Sequence, residues 1–464
     1  MSSAMNIPTS SIESLLWPAI PGQQAAQRLA ILRQLEESQW LSPEEIRDLQ
    51  FRQLNRLLAH VAATVPFYRQ RLQEAGLTGQ RAVTPKDWLK MPLLTRRDIQ
   101  QAGAGLISKK LPSGHGQVHK ASTSGSTGTP VTIVTSSINQ IFWEVLTLRE
   151  HLWHQRDLTA TMAAIRRIPK GAAYPDGLSQ SGWGGAVSRV FPSGPIHALE
   201  IDASVAQQAE WLTRVNPSYL RSYPTNLLSL ARYCQDHGVK LPNLKQCLSF
   251  GELLHDHVRD ACREVWGVEI ADTYSSQEIG YMSLQAPGHH HQLVQADVAL
   301  VEVIDRDGRP CGPGEVGRVV VTSLHNFAMP LLRYEIGDFA EVGGPCPTGR
   351  GLPVLTRILG RERNMMVDRE GNEYWPAFGV KSLTKIAPLR QFQLAQVAVD
   401  KVEARLVPDG AISVEQQEEI RAHLSGRLPA TVDVELRLLE DIPRSAGGKY
   451  EDFVNEIGRT DGHG

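Results

Sequence analysis

The chain has 464 residues, 41% hydrophobic and 21% charged, and its 48 Lys and Arg against 50 Asp and Glu leave a formal net charge of -2. The length favours two or more domains, and the composition is that of a folded protein rather than a disordered one. Charges of both signs are mixed along the chain, which argues against nucleic acid as a partner. The sequence shows neither an apolar run of about twenty residues nor a signal-like N-terminus, so we expect a cytoplasmic protein without a membrane partner.

The first hundred residues are predicted to be helical. Apolar residues recur at spacings of three and four in "IRDLQFRQLNRLLAHVAATV", residues 46–65. Pro66 should end this helix, because proline lacks the amide hydrogen that a helix needs.

Between about residues 120 and 361, short β-rich segments alternate with helical ones, which predicts α/β layers with partly parallel strands. The β-rich segments include "VTIV", "KQCLSF", "VEIADTY" and "GRVVVTS", and the helical ones "TNLLSLARYCQDHG" and "HDHVRDACREVWG". Further on, "QFQLAQVAVDKVEARLVP" predicts two strands, "SVEQQEEIRAHLSGRL" a helix capped by Ser413, and "TVDVELRLL" another strand. The tail of the chain is therefore expected to form a compact α+β unit.

A loop rich in serine, threonine and glycine, "STSGSTGTP" at residues 122–130, joins two predicted strands, "QVHKA" and "VTIV". Its glycines permit backbone angles that direct successive amides at one anion, and its hydroxyls add donors. The Walker A pattern is absent, because the glycines are too close together, no lysine follows and a strand comes next. From these residues alone, a polyphosphate site and a flexible linker stay equally open. The candidate phosphate ligands are Thr123, Ser124, Gly125, Ser126, Thr127 and Gly128.

Four further motifs follow this loop: "DTYSSQEIG" at 272–280, "LLRYEIGDFAEV" at 331–342, "ILGRERNMMV" at 358–367 and "PRSAGGKYEDF" at 443–453. In their order and spacing the chain resembles the adenylate-forming superfamily. "HVAATVPFYRQRLQEAG" and "WLKMPLLTRRDI" resemble its phenylacetate-CoA ligase branch and the capsule-biosynthesis relatives of that branch. The resemblance covers nearly the whole chain. It implies an α/β fold with a large multi-layer adenylating domain, residues 1–360, and a small mobile α+β domain, residues 361–464.

For the nucleotide, the resemblance implies that the Ser/Thr/Gly loop holds the β- and γ-phosphates of ATP. Tyr274 is expected to pack on adenine, and Glu278 to help hold Mg2+ on the phosphates. Asp338 is expected to accept hydrogen bonds from the ribose hydroxyls, and Arg361 to contact ribose or phosphate. Thr129 stands where the family often has a lysine, which removes one cation from the phosphate site. Further nucleotide-binding candidates are Gly251, Glu252 and Ser275.

The catalytic residues implied by the resemblance are Lys449, in "AGGKY", and Glu278. Lys449 would neutralise charge while a carboxylate attacks the α-phosphate. The small domain is then expected to rotate about a hinge after "LGRER", where Arg363 replaces the aspartate often seen in the family. Candidates for the acid pocket are Tyr223, Ile279, Gly280 and Tyr281, with Trp183 as a further aromatic position.

The implied activity is that of an ATP-dependent acid–thiol ligase. It would convert a carboxylic acid, aromatic or related, to an acyl-adenylate with release of pyrophosphate, and then pass the acyl group to coenzyme A. Two alternatives stay open. One is the same adenylation with transfer to the phosphopantetheine of a carrier protein or to an amine, and the other is a nucleotide-binding protein without catalysis. The identity of the acid and the formation of a homodimer are also left open.

Some relatives in this branch resemble zinc proteins, with a cysteine and a histidine after the "YSSQE" region and a C-x-C-G-R pattern after the "GD" region. Here Cys346 is present, but Ala286 and Thr348 stand where cysteines would be expected. The loop His289–His291 offers replacement ligands. We nevertheless expect an exposed histidine loop rather than a bound zinc ion.

Overall fold

The structure is a computed structural model that describes residues 6–78, 82–123, 131–361, 365–371, 373–374, 383, 386–408, 410–442 and 450–457. Several predicted residues lie outside this description, so their assignments stay predictions. They are Ser124, Gly125, Ser126, Thr127, Gly128, Thr129, Arg363 and Lys449.

Helices form the N-terminal part of the chain. They are α1 (Gln23–Ser38), α2 (Pro43–Thr64), α3 (Tyr68–Glu74), α4 (Pro85–Trp88) and α5 (Arg96–Ala102), followed by a 3-10 turn (Gly103–Leu106). The helix predicted at 46–65 is confirmed as α2. It begins a few residues earlier, because the Ser42 side chain accepts from the amide of Glu45 in a capping box and Pro43 occupies the first turn.

The central part alternates strands and helices as predicted. Its elements are β1 (Val118–Thr123), β2 (Val131–Ser136), α6 (Ser137–Trp153), β3 (Met162–Arg166), β4 (Leu178–Gln180), α7 (Gly185–Ser188), β5 (Ile196–Glu200), α8 (Val205–Val215), β6 (Tyr219–Ser222), α9 (Pro224–His237), β7 (Gln246–Phe250), α10 (Asp256–Trp266), β8 (Glu269–Ser276), β9 (Gly280–Gln285), β10 (Gln292–Val294), β11 (Ala299–Ile304), β12 (Val316–Ser323), β13 (Tyr334–Val342) and β14 (Val354–Arg361).

β1 and β2 form an antiparallel hairpin around the predicted phosphate loop. Within the described ranges, a large sheet has twelve strands in the order β11-β12-β13-β14-β10-β9-β8-β7-β6-β3-β5-β4. Strands β5, β3, β6, β7 and β8 pair in parallel, and the other pairings in this sheet are antiparallel. The prediction of α/β layers with partly parallel strands is confirmed.

Helices cover both faces of the parallel part of the sheet. On one face, α8, α9 and α10 share a hydrophobic core with β3, β5, β6 and β7. On the other face, α1 and α6 pack in a core that reaches β9 and β12. Burial on both faces explains the nearly continuous apolar sequence of a central strand such as β3, "MAAIR", in which the first four residues are buried.

The C-terminal part is a smaller α+β unit, as predicted. Its elements are β15 (Met366–Val367), β16 (Glu373–Tyr374), β17 (Leu389–Ala398), β18 (Lys401–Pro408), α11 (Val414–Ser425), β19 (Asp433–Leu438) and β20 (Phe453–Asn455). Ser413 caps α11 in a capping box with Gln416. A sheet in the order β19-β18-β17-β20 packs with α11 around a separate apolar core. Along the described chain we find no helix both long and apolar enough to cross a bilayer.

Candidate active site

One large cavity, about 1320 Å³ in volume, opens where the parallel strands end. Tyr223 follows β6, Gly251 follows β7, and Ser275 stands at the carboxyl end of β8; all three line the cavity. In open α/β sheets, ligands bind at the carboxyl ends of the strands. The cavity is also lined by the C-terminal unit, at Arg390–Phe392 and Tyr450–Phe453 in this arrangement.

Tyr274, Asp338 and Arg361 form one group on the cavity wall, joined by a hydrogen bond and an ion pair. The Tyr274 hydroxyl donates to Asp338 Oδ2 at 2.7 Å, and Arg361 Nε lies 3.4 Å from Asp338 Oδ1. Asp338 and Arg361 meet because they are register partners on the antiparallel strands β13 and β14. Burial and the neighbouring carboxylate raise the pKa of Tyr274 well above its usual range, so the hydroxyl stays protonated and donates. Burial opposes the charge of Arg361, but the neighbouring groups Asp338, Glu451 and Glu278 together with Tyr274 outweigh it and raise the pKa of Arg361.

Glu278 follows β8 and faces Arg96, a residue that the sequence did not single out. Arg96 Nη1 lies 3.8 Å from Glu278 Oε1, and the two side chains are only 25% and 12% exposed. Arg96 begins α5, and it reaches the cavity because Leu94, two residues earlier, forms a bridge with Tyr334 of β13. Both residues line the cavity, so an arginine and a carboxylate face the same space. A carboxylate oxygen suits Mg2+, and a guanidinium suits phosphate oxygens.

Gly251 and Glu252 make a turn directly after β7, with Gly251 at a φ of 78°. Glu252 lines the cavity, but its carboxylate is engaged by the protein. One oxygen accepts from the amide and hydroxyl of Thr225, and the other accepts from the amide of Tyr450. Any contact of this turn with a nucleotide is therefore expected to come from its backbone.

Aromatic side chains form another part of the cavity. Tyr281 is buried and stacks on Trp143 of α6, with ring centroids 4.2 Å apart and an interplanar angle of 25°. Tyr223 packs on Phe250 at 4.8 Å. Ile279 and Gly280, which precede Tyr281 in the chain, also line the cavity.

Phe142 and His325 continue this aromatic wall. Their rings stack at 4.1 Å, and both line the cavity. Burial lowers the pKa of His325 to about 4, so the imidazole is neutral at neutral pH. By contrast, Trp183 is buried in the core, donates to the carbonyl oxygen of Ala160, and is not among the cavity-lining residues.

The region where relatives would bind zinc holds a thiol and an imidazole. Cys346 Sγ lies 3.5 Å from His291 Nε2 and 3.0 Å from Thr348 Oγ1. Ala286 is buried without a ligating atom. Among the described residues, no group of three or more His, Cys, Asp or Glu side chains is placed to hold a metal ion.

The described residues that the sequence singled out for the nucleotide and the acid therefore line one cavity. They are Tyr223, Gly251, Glu252, Tyr274, Ser275, Glu278, Ile279, Gly280, Tyr281, Asp338 and Arg361. Thr123 ends β1, and its described backbone pairs with Val131. Sequence reasoning missed Arg96, Trp143, Phe142 and His325. Arg96 lies within "WLKMPLLTRRDI", a segment that indicated the family resemblance but gave no prediction for Arg96 itself.

The chain is similar in sequence to phenylacetate-coenzyme A ligases and to CapK, and similar in fold to an acyl-CoA ligase. A family model described as the CapK C-terminal domain matches residues 379–456. The phenylacetate-coenzyme A ligase of Thermus thermophilus is 28% identical over 357 residues, which cover 73% of this chain and 75% of that protein. A crystal structure of 2-hydroxyisobutyryl-CoA ligase in the postadenylation state, with 2-HIB-AMP, has a TM-score of 0.72 at 18% identity and covers 96% of this chain and 97% of that chain. The same ligase in the thioester-forming state, with 2-HIB-AMP and CoA, has a TM-score of 0.57 at 20% identity and covers 91% and 92%.

Proposed function

We propose that this chain, a relative of the phenylacetate-CoA ligases with the fold of the adenylate-forming superfamily, activates a carboxylic acid with ATP and transfers the acyl group to coenzyme A. The observation that carries the proposal is the meeting of two groups on one cavity. Asp338, held by Tyr274 and Arg361, offers hydrogen-bond acceptors to a ribose diol. Glu278 offers a carboxylate ligand for a metal ion, and the neighbouring Arg96 offers hydrogen-bond donors to phosphate oxygens.

In the first half-reaction, an oxygen of the acid would attack the α-phosphorus of ATP while the bond to the β-phosphate breaks and pyrophosphate leaves. The residues Asp338 and Arg361 would orient the nucleotide, and Arg96 would neutralise phosphate charge near Glu278. We infer that Arg96 supplies the cation that Thr129 does not. Glu278 would hold Mg2+, and Lys449 would stabilise the charge that develops during attack; both assignments rest on the family motifs.

The acid is proposed to lie against the wall of Trp143, Tyr281 and Phe142. Flat rings on a pocket wall favour an aromatic or otherwise flat acyl group, because stacked rings gain contact area without losing much side-chain freedom. His325 offers a neutral imidazole to a polar substituent on that acyl group.

In the second half-reaction, the sulfur of a thiol would attack the acyl carbon and AMP would leave. The same neighbouring ligase is less similar in its thioester-forming state, at a TM-score of 0.57 against 0.72 after adenylation. This difference supports the idea that the described arrangement serves the first half-reaction and that the small unit moves before the second. Transfer to a carrier-protein phosphopantetheine or to an amine is the second candidate, since it uses the same adenylation site. A cytoplasmic location stays a prediction of the sequence.

A pyrophosphate-exchange screen tests the proposal. The protein is incubated with ATP, Mg2+, labelled pyrophosphate and a panel of aromatic, aliphatic and amino acids that includes phenylacetate and 2-hydroxyisobutyrate. We expect exchange that depends on the acid and is strongest with an aromatic acid. The best acid is then assayed with coenzyme A, a phosphopantetheinylated carrier protein and an amine, which separates the acceptors. ATP binding without exchange for any acid would instead support the non-catalytic alternative.

A further inference from the structure

Among the described residues, the C-terminal unit contacts the larger part of the molecule at a short segment, Tyr450–Asp452, and at Leu389. The amide of Tyr450 donates to Glu252 Oε1 at 2.7 Å, and Asp452 Oδ2 lies 3.0 Å from His255 Nε2. These contacts lie on the wall of the cavity itself. The nitrogen of Tyr450 is covalently bonded to the carbonyl carbon of Lys449, so the first contact fixes the chain one residue from the predicted catalytic lysine.

Glu252 is oriented by the larger part of the molecule before the small unit meets it. Its Oε2 accepts from the Thr225 amide at 3.2 Å and from the Thr225 hydroxyl at 2.7 Å. Thr225 lies in the first turn of α9, where the free amides and the helix dipole favour a carboxylate. Oε1 is thereby left pointing at the C-terminal unit, ready to accept from the Tyr450 amide.

His255 and Asp452 form a charged pair across the same boundary. Burial opposes the charge of His255, but Asp452 and Asp256 outweigh it and raise the pKa of His255, and the same pairing lowers the pKa of Asp452. His257, stacked on His255, carries no charge at neutral pH, because burial lowers its pKa to about 4. Arg232 of α9 also faces this cluster, and its Nη1 donates to the carbonyl oxygen of Leu389 at 3.5 Å.

The segment is firmly tied to its own unit. The Tyr450 hydroxyl donates to the carbonyl oxygen of Phe392 on β17, and the amide of Leu394 donates to the carbonyl oxygen of Asp452 at 2.8 Å. β20, which begins at Phe453, pairs in parallel with β17. A contact made by Tyr450 or Asp452 therefore orients the whole C-terminal sheet rather than a loose strand.

We propose that Glu252 and His255 are positioning residues that dock the C-terminal unit for the adenylation half-reaction. This inference rests on the proposed function and adds which side chains select the adenylating arrangement. Both contacts are weak enough to break when the unit moves for thiol attack. One is a single hydrogen bond from an amide to a carboxylate, and the other is a partly exposed ion pair, in which the His255 and Asp452 side chains are 39% and 29% exposed. Glu252 thus acts through Tyr450 on the lysine segment.

The variants Glu252→Gln and Asp452→Asn test this. Thr225 and Tyr450 donate to different carboxylate oxygens, and the single oxygen of a glutamine can occupy only one of these positions, so the NH2 group faces the other donor. Losing one hydrogen bond to a charged group should lower acid-dependent pyrophosphate exchange about tenfold. Thioester formation from supplied phenylacetyl-adenylate and coenzyme A should stay at the wild-type rate, which also shows that the variants fold. The control is Glu269→Gln, which removes an exposed ion pair with Arg263 and should change neither half-reaction.

Hydrogen–deuterium exchange of the full-length protein gives a readout that needs no substrate. Peptides that contain residues 450–453 should exchange faster in both variants than in wild type or in Glu269→Gln. Equal losses in both half-reactions, or unchanged exchange of these peptides, would overturn the inference. If wild type shows no acid-dependent pyrophosphate exchange, the proposed function fails, and deuterium exchange still decides whether these contacts dock the unit.

Discussion

Replacing Tyr274 with phenylalanine tests whether Asp338 is held in place for the nucleotide. The change keeps the ring and removes the hydroxyl that donates to Asp338 Oδ2 at 2.7 Å. A hydrogen bond to a charged group contributes about 1.5–3 kcal/mol. Arg361 still contacts the other carboxylate oxygen at 3.4 Å, so we expect the lower end of this range. That corresponds to an increase of about tenfold in the KM for ATP.

The assay is pyrophosphate exchange at saturating acid with ATP varied. Tyr219→Phe is the matched control, because the Tyr219 hydroxyl accepts from the amide of Asp157 at 2.8 Å and does not line the cavity. It should leave the KM for ATP unchanged. A wild-type KM for ATP in Tyr274→Phe would refute the argument that this hydroxyl positions Asp338.

Three further predictions follow from the same cavity. Arg96→Ala should raise the KM for ATP about tenfold while Arg96→Lys retains part of the affinity, and equal kinetics in all three proteins would remove Arg96 from the phosphate site. Contact with Asp452 raises the pKa of His255 above its usual value despite burial, so docking is favoured while His255 is protonated and weakens as pH rises through that raised pKa. Pyrophosphate exchange should therefore fall on this alkaline limb in wild type, and Asp452→Asn should lose the limb; identical pH profiles would contradict the ion pair. Trp143→Ala should lower kcat/KM about tenfold or more for aromatic acids and less for short aliphatic acids, and a uniform loss across the acid panel would place Trp143 in the core alone.

Local patterns in the sequence were enough to predict several elements of the fold. The helix at α2 follows from apolar spacing and Pro66, and α11 follows from its helical sequence pattern and the capping residue Ser413. These signals work because they depend on neighbours three or four residues apart. The antiparallel register that joins Asp338 to Arg361 could not be predicted in this way, although the motifs led us to predict that both residues contact the nucleotide.

The residues that sequence reasoning missed reach the cavity through contacts between distant parts of the chain. In the sequence, Arg96 looks like an ordinary surface arginine. It lines the cavity because the bridge between Leu94 and Tyr334 holds the start of α5 beside β13. From the sequence, Trp143 cannot be told from the other apolar residues of α6, and only the structure shows that it stacks on Tyr281 and lines the cavity. No periodicity encodes such pairs, because they depend on the packing of whole layers.

Glu252 shows a different limit of sequence reasoning. The motif predicts that Glu252 contacts the nucleotide, and its side chain does line the cavity. Its carboxylate, however, accepts from Thr225 and from Tyr450, which are 27 and 198 residues away along the chain. The role of this side chain thus depends on the position of the C-terminal unit, which the motif around Glu252 does not predict.

The central claim is that the acid attacks the α-phosphorus of ATP, and an oxygen-isotope experiment tests it most directly. The acid selected by the exchange screen is labelled with 18O in its carboxyl group and turned over with ATP, Mg2+ and coenzyme A. If the acid attacks the α-phosphorus, one of its carboxyl oxygens bridges carbon and phosphorus in the acyl-adenylate. That oxygen stays on the phosphate when the thiol attacks the acyl carbon and AMP leaves. We predict AMP that carries one 18O atom. Label in inorganic phosphate with formation of ADP, or unlabelled AMP, would contradict the claim.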